Sequence, residues 1–171
     1  ILDGEGGSDT FVILCGSLAG DVQVTDSGTG AQEANRLEIQ SADDDNQFLV
    51  TSDQVAWGTG TTEVIEYSAA ITSLSVETGI GTNSVQIVST SDAGVTITAQ
   101  GGTDTYEVQL GSLAGPVSVA SESNTGSVSV TIVGTDAADD LTLSGTGIQT
   151  GDGETITLGT AVASRTVDGG M

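Results

Sequence analysis

The chain has 171 residues, enough for one domain with its own core or for a run of stacked repeats. It carries 24 acidic residues against two basic ones, Arg36 and Arg165, with no lysine and no histidine, for a net charge of -22. That balance excludes nucleic acid and anionic membrane surfaces, which need a cationic footprint. It also removes the residues on which most acid–base, Schiff-base and phosphate-handling mechanisms rest.

Alternating β-branched runs recur about every ten residues, separated by Gly, Asp, Asn and Ser clusters. In chain order they are Phe11 to Leu14, Val22 to Val24, Leu37 to Ile39, Phe48 to Val50, Val64 to Tyr67, Leu74 to Val76 and Val85 to Val88. Val95 to Ile97, Tyr106 to Leu110, Val117 to Val119, Val128 to Val133, Leu141 to Leu143 and Ile156 to Leu158 follow. No window of helical spacing exceeds about two turns, and the Gly and β-branched content opposes one. The chain reads as all-β.

Internal repeats set the expected architecture. Gly6-Gly7-Ser8-Asp9-Thr10-Phe11 recurs as Gly101-Gly102-Thr103-Asp104-Thr105-Tyr106, a shift of 95. Gly16-Ser17-Leu18-Ala19-Gly20 recurs at the same shift as Gly111 to Gly115. With small register changes, Phe48 to Val50 corresponds to Leu141 to Leu143, and Ile71 to Gly79 to Val162 to Gly170. The chain is therefore read as a single repeat segment, 1–171, made of two diverged units, about 1–95 and 96–171.

A shorter period lies inside, since Gly81 to Val85 aligns with Gly102 to Tyr106 and Val95 to Ile97 with Val117 to Val119. A coil of that size cannot bury its own apolar face but can stack on a copy of itself. The expected fold is a parallel β-solenoid, with Val85, Ile87, Tyr106 and Val108 inward and Ser and Thr ladders outside. The alternative is one or two β-sandwich modules of immunoglobulin-like type, with antiparallel strands. Val167-Asp168-Gly169-Gly170 resembles Leu2-Asp3-Gly4-Glu5, so the chain reads as a stretch of a longer array that pairs end to end with its own kind or with neighbouring repeats.

The Gly-Gly-x-Asp-Thr-Phe/Tyr element, the Ile71 to Gly79 element and the Gly-Ser-Leu-Ala-Gly-x-Val-x-Val element together resemble repeats of very large bacterial surface proteins, such as those common in planctomycetes. The resemblance implies an extracellular or cell-surface protein with an adhesive or scaffolding role. Gly4 to Phe11 is also similar to the calcium-binding nonapeptide of RTX proteins, with Glu5 in place of its second glycine. Around Asn83 and Asp104 only the second half of that pattern is kept. The similarity implies Ca²⁺ near Asp9, Asn83 and Asp104. The competing reading is turn chemistry, with each acid or amide satisfying local backbone donors.

Other candidates are few. Cys15, beside Leu14, reads as a buried inert thiol. Trp57 reads as a core or inter-strand residue, with a glycan-stacking platform as the alternative. The acid runs Asp43-Asp44-Asp45 and Asp139-Asp140 read as solvated turns, with polysaccharide cleavage by paired carboxylates as the remaining enzymatic idea. The chain is expected not to be an enzyme and not to insert into a membrane.

Overall fold

The computed structural model describes residues 1–16, 18–28, 30, 33–42, 44–58, 63–122 and 126–169. Their regular structure is all β, in two sheets. The first holds nine strands in the spatial order β1 (Leu2–Asp3), β3 (Val22–Thr25), β7 (Glu63–Tyr67), β6 (Gln54–Trp57), β5 (Gln47–Val50), β9 (Ser84–Ile87), β11 (Thr103–Gln109), β13 (Ser127–Val133) and β17 (Val162–Asp168). The second holds eight: β14 (Leu141–Leu143), β15 (Gly147–Thr150), β16 (Thr155–Leu158), β12 (Val117–Ser121), β10 (Val95–Ala99), β8 (Ile71–Glu77), β4 (Asn35–Gln40) and β2 (Thr10–Leu14).

Both sheets are mixed. Among the described residues antiparallel pairs occur only within two meanders, β5–β6–β7 and β14–β15–β16. Every other strand pair is parallel, so the antiparallel pairing that the immunoglobulin-like alternative requires is confined to those two places.

The period-2 pattern explains which side chains go inside. In the first sheet Phe48, Val85, Tyr106 and Val130 lie in register, and one step on so do Val50, Ile87, Val108 and Ile132. In the second sheet Ile13, Ile39, Val76, Ile97, Val119 and Leu158 form one row, none more than 4% exposed. Burying each such Val, Ile or Leu contributes about 1.5–3 kcal/mol, and β-branched side chains lose little rotamer freedom on a pleated surface. These rows join in one hydrophobic core.

The alternate positions face out as hydroxyl rows. Ser75, Thr96, Ser118 and Thr157 are in register on the second sheet, and Ser84, Thr105, Ser129 and Ser164 on the first. Turns between strands pack backbone on backbone. At Gly102, whose φ is +83°, a Cβ would collide with the carbonyl oxygens of Ile80 and Gly81, so only glycine fits.

Candidate functional site

The residues expected to hold a cation lie in the turns that open the strands. Asn46, Asn83 and Asp104 precede or begin neighbouring strands of the first sheet and are 3%, 2% and 1% exposed, which marks them as interior groups. Parallel stacking brings them into a column. The Oδ1 of Asp104 accepts the Asn83 backbone N–H (3.1 Å) and its Nδ2–H (2.8 Å). The Oδ1 of Asn83 in turn accepts the Asn46 backbone N–H (3.1 Å) and Nδ2–H (3.2 Å). Each amide also donates to a carbonyl two residues back, Asn83 to Gly81 and Asn46 to Asp44.

Asp104 ends this column. Its Oδ2 is buried without a hydrogen-bond partner, and burial pushes its carboxyl pKa up against the opposing pull of the two Asn83 donors. Asp9 stands apart, ahead of β2 in the second sheet. Its backbone N–H donates to Asn35 Oδ1 (2.9 Å), and Asn35 Nδ2 reaches Asp26 Oδ2 (2.8 Å). The structure thus joins Asn83 to Asp104 and places Asp9 elsewhere.

This donor set does not suit Ca²⁺, which takes six to eight oxygens. The Oδ1 atoms of Asn83 and Asp104 are each occupied by two N–H donors, leaving Asp104 Oδ2 as a single oxygen. Among the described residues no three His, Cys, Asp or Glu side chains are grouped so as to hold a metal ion.

Two glutamates that composition gave no reason to single out hold the repeated Gly-x-Leu turns. Glu63 accepts the N–H of Gly16 (3.1 Å) and of Leu18 (3.0 Å). Glu154 accepts those of Gly111 and Leu113, both at 2.9 Å. Both glycines have positive φ, +99° and +96°, and N–H groups two residues apart in each turn reach one carboxylate. A signal was present: Glu63-Val64-Ile65 and Glu154-Thr155-Ile156 stand at the same shift as Ile71 and Val162.

Trp57 pairs with Phe48 and Glu63 at the end of β6, and its ring lies close to Gly16. Beside it is a shallow groove of about 290 Å³ lined by Gln47, Leu49, Ala56, Ser84 and Gln86 among others. The indole N–H is buried, and among the described residues it has no hydrogen-bond partner. Cys15 is buried, and burial, helped by Glu63, pushes its thiol up to about 12.

Acids of both runs accept hydrogen bonds from turn residues, Asp45 from a neighbouring turn and Asp139 from its own. Asp45 accepts the Thr82 N–H (2.7 Å), Asp139 accepts the Thr135 N–H and hydroxyl (both 3.0 Å), and Asp43 lies outside the described residues. Asp139, Asp140, Asp152 and Glu154 do line one depression of about 130 Å³. Glu154 and Asp139 are already committed there as backbone acceptors. No helix among the described residues is long and apolar enough to cross a membrane. No protein-family model, curated protein or solved structure matches the chain.

Proposed function

We propose that the chain is a structural segment of a parallel β-solenoid array, extracellular or on a cell surface, with an adhesive or scaffolding role and no catalysis. The observation that carries this reading is a repeated pairing scheme. Strands β2, β4 and β8 stack in parallel in one sheet, while β3 joins the β7–β6–β5 meander in the other. Strands β11, β13 and β17 stack in the same way, and β12 joins the β16–β15–β14 meander, with the two sheets exchanged. Even the register slip recurs, between Asn35 and Arg36 and again between Val128 and Ser129.

The exchange has a mechanical consequence. From β2 to β10 one sheet gains four strands (β2, β4, β8, β10) and the other five (β3, β5, β6, β7, β9). Repeated without exchange, that imbalance would lengthen one face by about 4.8 Å per unit and curl the stack. Exchanging faces evens the two sheets over each pair of units, as a long straight scaffold needs. The acidic surface and the absence of lysine suit a salt-rich medium that screens self-repulsion.

Adjoining repeats are the partners this reading supplies, by continuing the parallel ladders. Electron microscopy of the native material tests it. Rods or filaments of uniform width are expected, and separate globular particles would contradict the reading. A glycan-binding role has less support, because Trp57 turns its N–H inward and the outer rows are short hydroxyls.

A further inference from the structure

Charge is divided unevenly over the two sheets. The eight strands of the second sheet carry three charged residues, Arg36, Glu38 and Glu77, which add -1 to a net charge of -22. All three alternate with the buried Leu37, Ile39 and Val76 and so stand on the outer face. They are also engaged there, since Arg36 Nε pairs with Glu38 Oε1 (2.7 Å) and Glu77 Oε2 accepts the Gln100 Nε2–H (3.0 Å). The strands of the first sheet hold six acids and Arg165, a net of -5.

Strands β10, β12 and β16 form a stretch of the second sheet's outer face that carries no charge. Its outward side chains are Thr96, Thr98, Ser118, Ala120, Thr155 and Thr157, all small or short. Val12 and Leu14 on β2 add apolar side chains to the same face. The face lies to the side of the ladders, so stacking of repeats in either direction leaves it open. Two copies of so acidic a chain repel each other wherever carboxylates meet, and the cores of protein interfaces are depleted of charge. Short side chains let two sheets approach to their usual spacing of about 10 Å. Eight strands about 4.8 Å apart and about five residues long cover about 600 Å². Two such faces together bury about 1,200 Å², the lower bound of a specific interface. A neutral polysaccharide is a poorer match, because none of the outward side chains on this face is aromatic.

We propose that the outer face of the second sheet is a self-association surface, through which a second copy of this chain pairs face to face once salt screens the remaining charge. The proposal rests on the stacked-repeat reading above and adds a lateral contact to the end-to-end one. It is tested by sedimentation equilibrium at low and at raised sodium chloride, on the native chain and on Ser118→Glu. Ser129→Glu, on the outer face of the first sheet, is the control of equal charge.

The native chain is expected to be a monomer at low salt and a dimer at raised salt. Ser118→Glu places a carboxylate in the neutral stretch of both copies and should weaken the dimer at least roughly hundredfold, against no more than about threefold for Ser129→Glu. Thr96→Glu should act like Ser118→Glu and covers the case in which that variant folds poorly. Equal weakening by substitutions on the two faces overturns the proposal, as does a native chain that stays monomeric at every salt concentration. Retention of a monomer by insoluble cellulose, lost in Ser118→Glu, also overturns it and assigns the face to a neutral glycan. Amide exchange of β9 and β11 separates the two levels of failure. Protected amides in a monomer sink the pairing alone, whereas freely exchanging ones sink the stacked-repeat reading and the pairing with it.

Discussion

Asp104→Asn should stabilise the protein at neutral pH. Asp104 Oδ1 already accepts the two donors of Asn83, and asparagine keeps that acceptor. The change falls on Oδ2, which is buried without a partner. In asparagine this atom becomes an amide, and at the equivalent positions Asn83 and Asn46 that amide donates two residues back along the chain. Here the acceptor would be the Gly102 carbonyl, which now receives the Ser127 N–H at 2.8 Å and has a second lone pair.

A new buried hydrogen bond is worth about 1 kcal/mol, and removing an incompletely solvated charge adds to it. Weaker bonds from Asn83 to a neutral acceptor subtract a part. The net is about 1 kcal/mol in favour of asparagine, or roughly 2–4 °C in the thermal midpoint for a chain of this size.

The pH dependence has a fixed sign. Burial raises the folded-state pKa of Asp104 above the ordinary 3.8, so the protonated acid fits the fold better than the carboxylate does. The favourable contribution is complete below the unfolded value and is lost as pH rises through the raised folded value. The difference between the Asp104→Asn and native proteins should therefore be smaller near pH 3.5 than at pH 7. Urea unfolding of both proteins at these two pH values is the assay. Lower stability of the Asp104→Asn protein than of the native one at pH 7, or a difference that does not change with pH, would refute the reasoning.

Removing either turn clamp, by Glu63→Ala or Glu154→Ala, leaves two backbone N–H groups without their acceptor and should cost about 1–2 kcal/mol in chemical denaturation, with similar values for the two sites. Cys15, with its thiol pushed up to about 12, should resist thiol reagents at pH 8 until the chain unfolds, so the labelling rate should match global unfolding. Because the net charge is -22, sodium chloride should raise the thermal midpoint, and Ca²⁺ should do no more than Mg²⁺ at equal ionic strength. A Ca²⁺-specific rise abolished by Asp104→Asn would instead assign a cation to the turn column.

Much of the strand pattern was legible, because period-2 alternation directly encodes one buried face. Val128 to Val133 lies within β13, and Leu141 to Leu143 is β14. Two strands that escaped notice, β6 and β15, each bury a single side chain and so show no row of alternating buried positions. Strand β6 buries Val55 fully and β15 only Ile148, since each is the middle of a meander held largely by backbone pairing. Alternation alone reads the same for parallel and antiparallel neighbours, so the parallel expectation came from the internal period, and the two antiparallel meanders were not legible. The Gly-x-Asp turns were visible, but their buried role was not. The short period already set Asn83 over Asp104, but only register reveals that Asn46 joins their column while Asp9 belongs to the other sheet.

Distances between spin labels along one outer row test the stacking most directly. Val12, Glu38, Ser75, Thr96, Ser118 and Thr157 occupy successive in-register positions on the second sheet. Labels at Val12→Cys and Thr157→Cys should lie about 24 Å apart, from five strand spacings of about 4.8 Å. The pair Glu38→Cys and Thr157→Cys should be shorter by about one such spacing. Two broad distributions, or separations that do not differ by a strand step, would contradict a continuous ladder of parallel strands through the molecule.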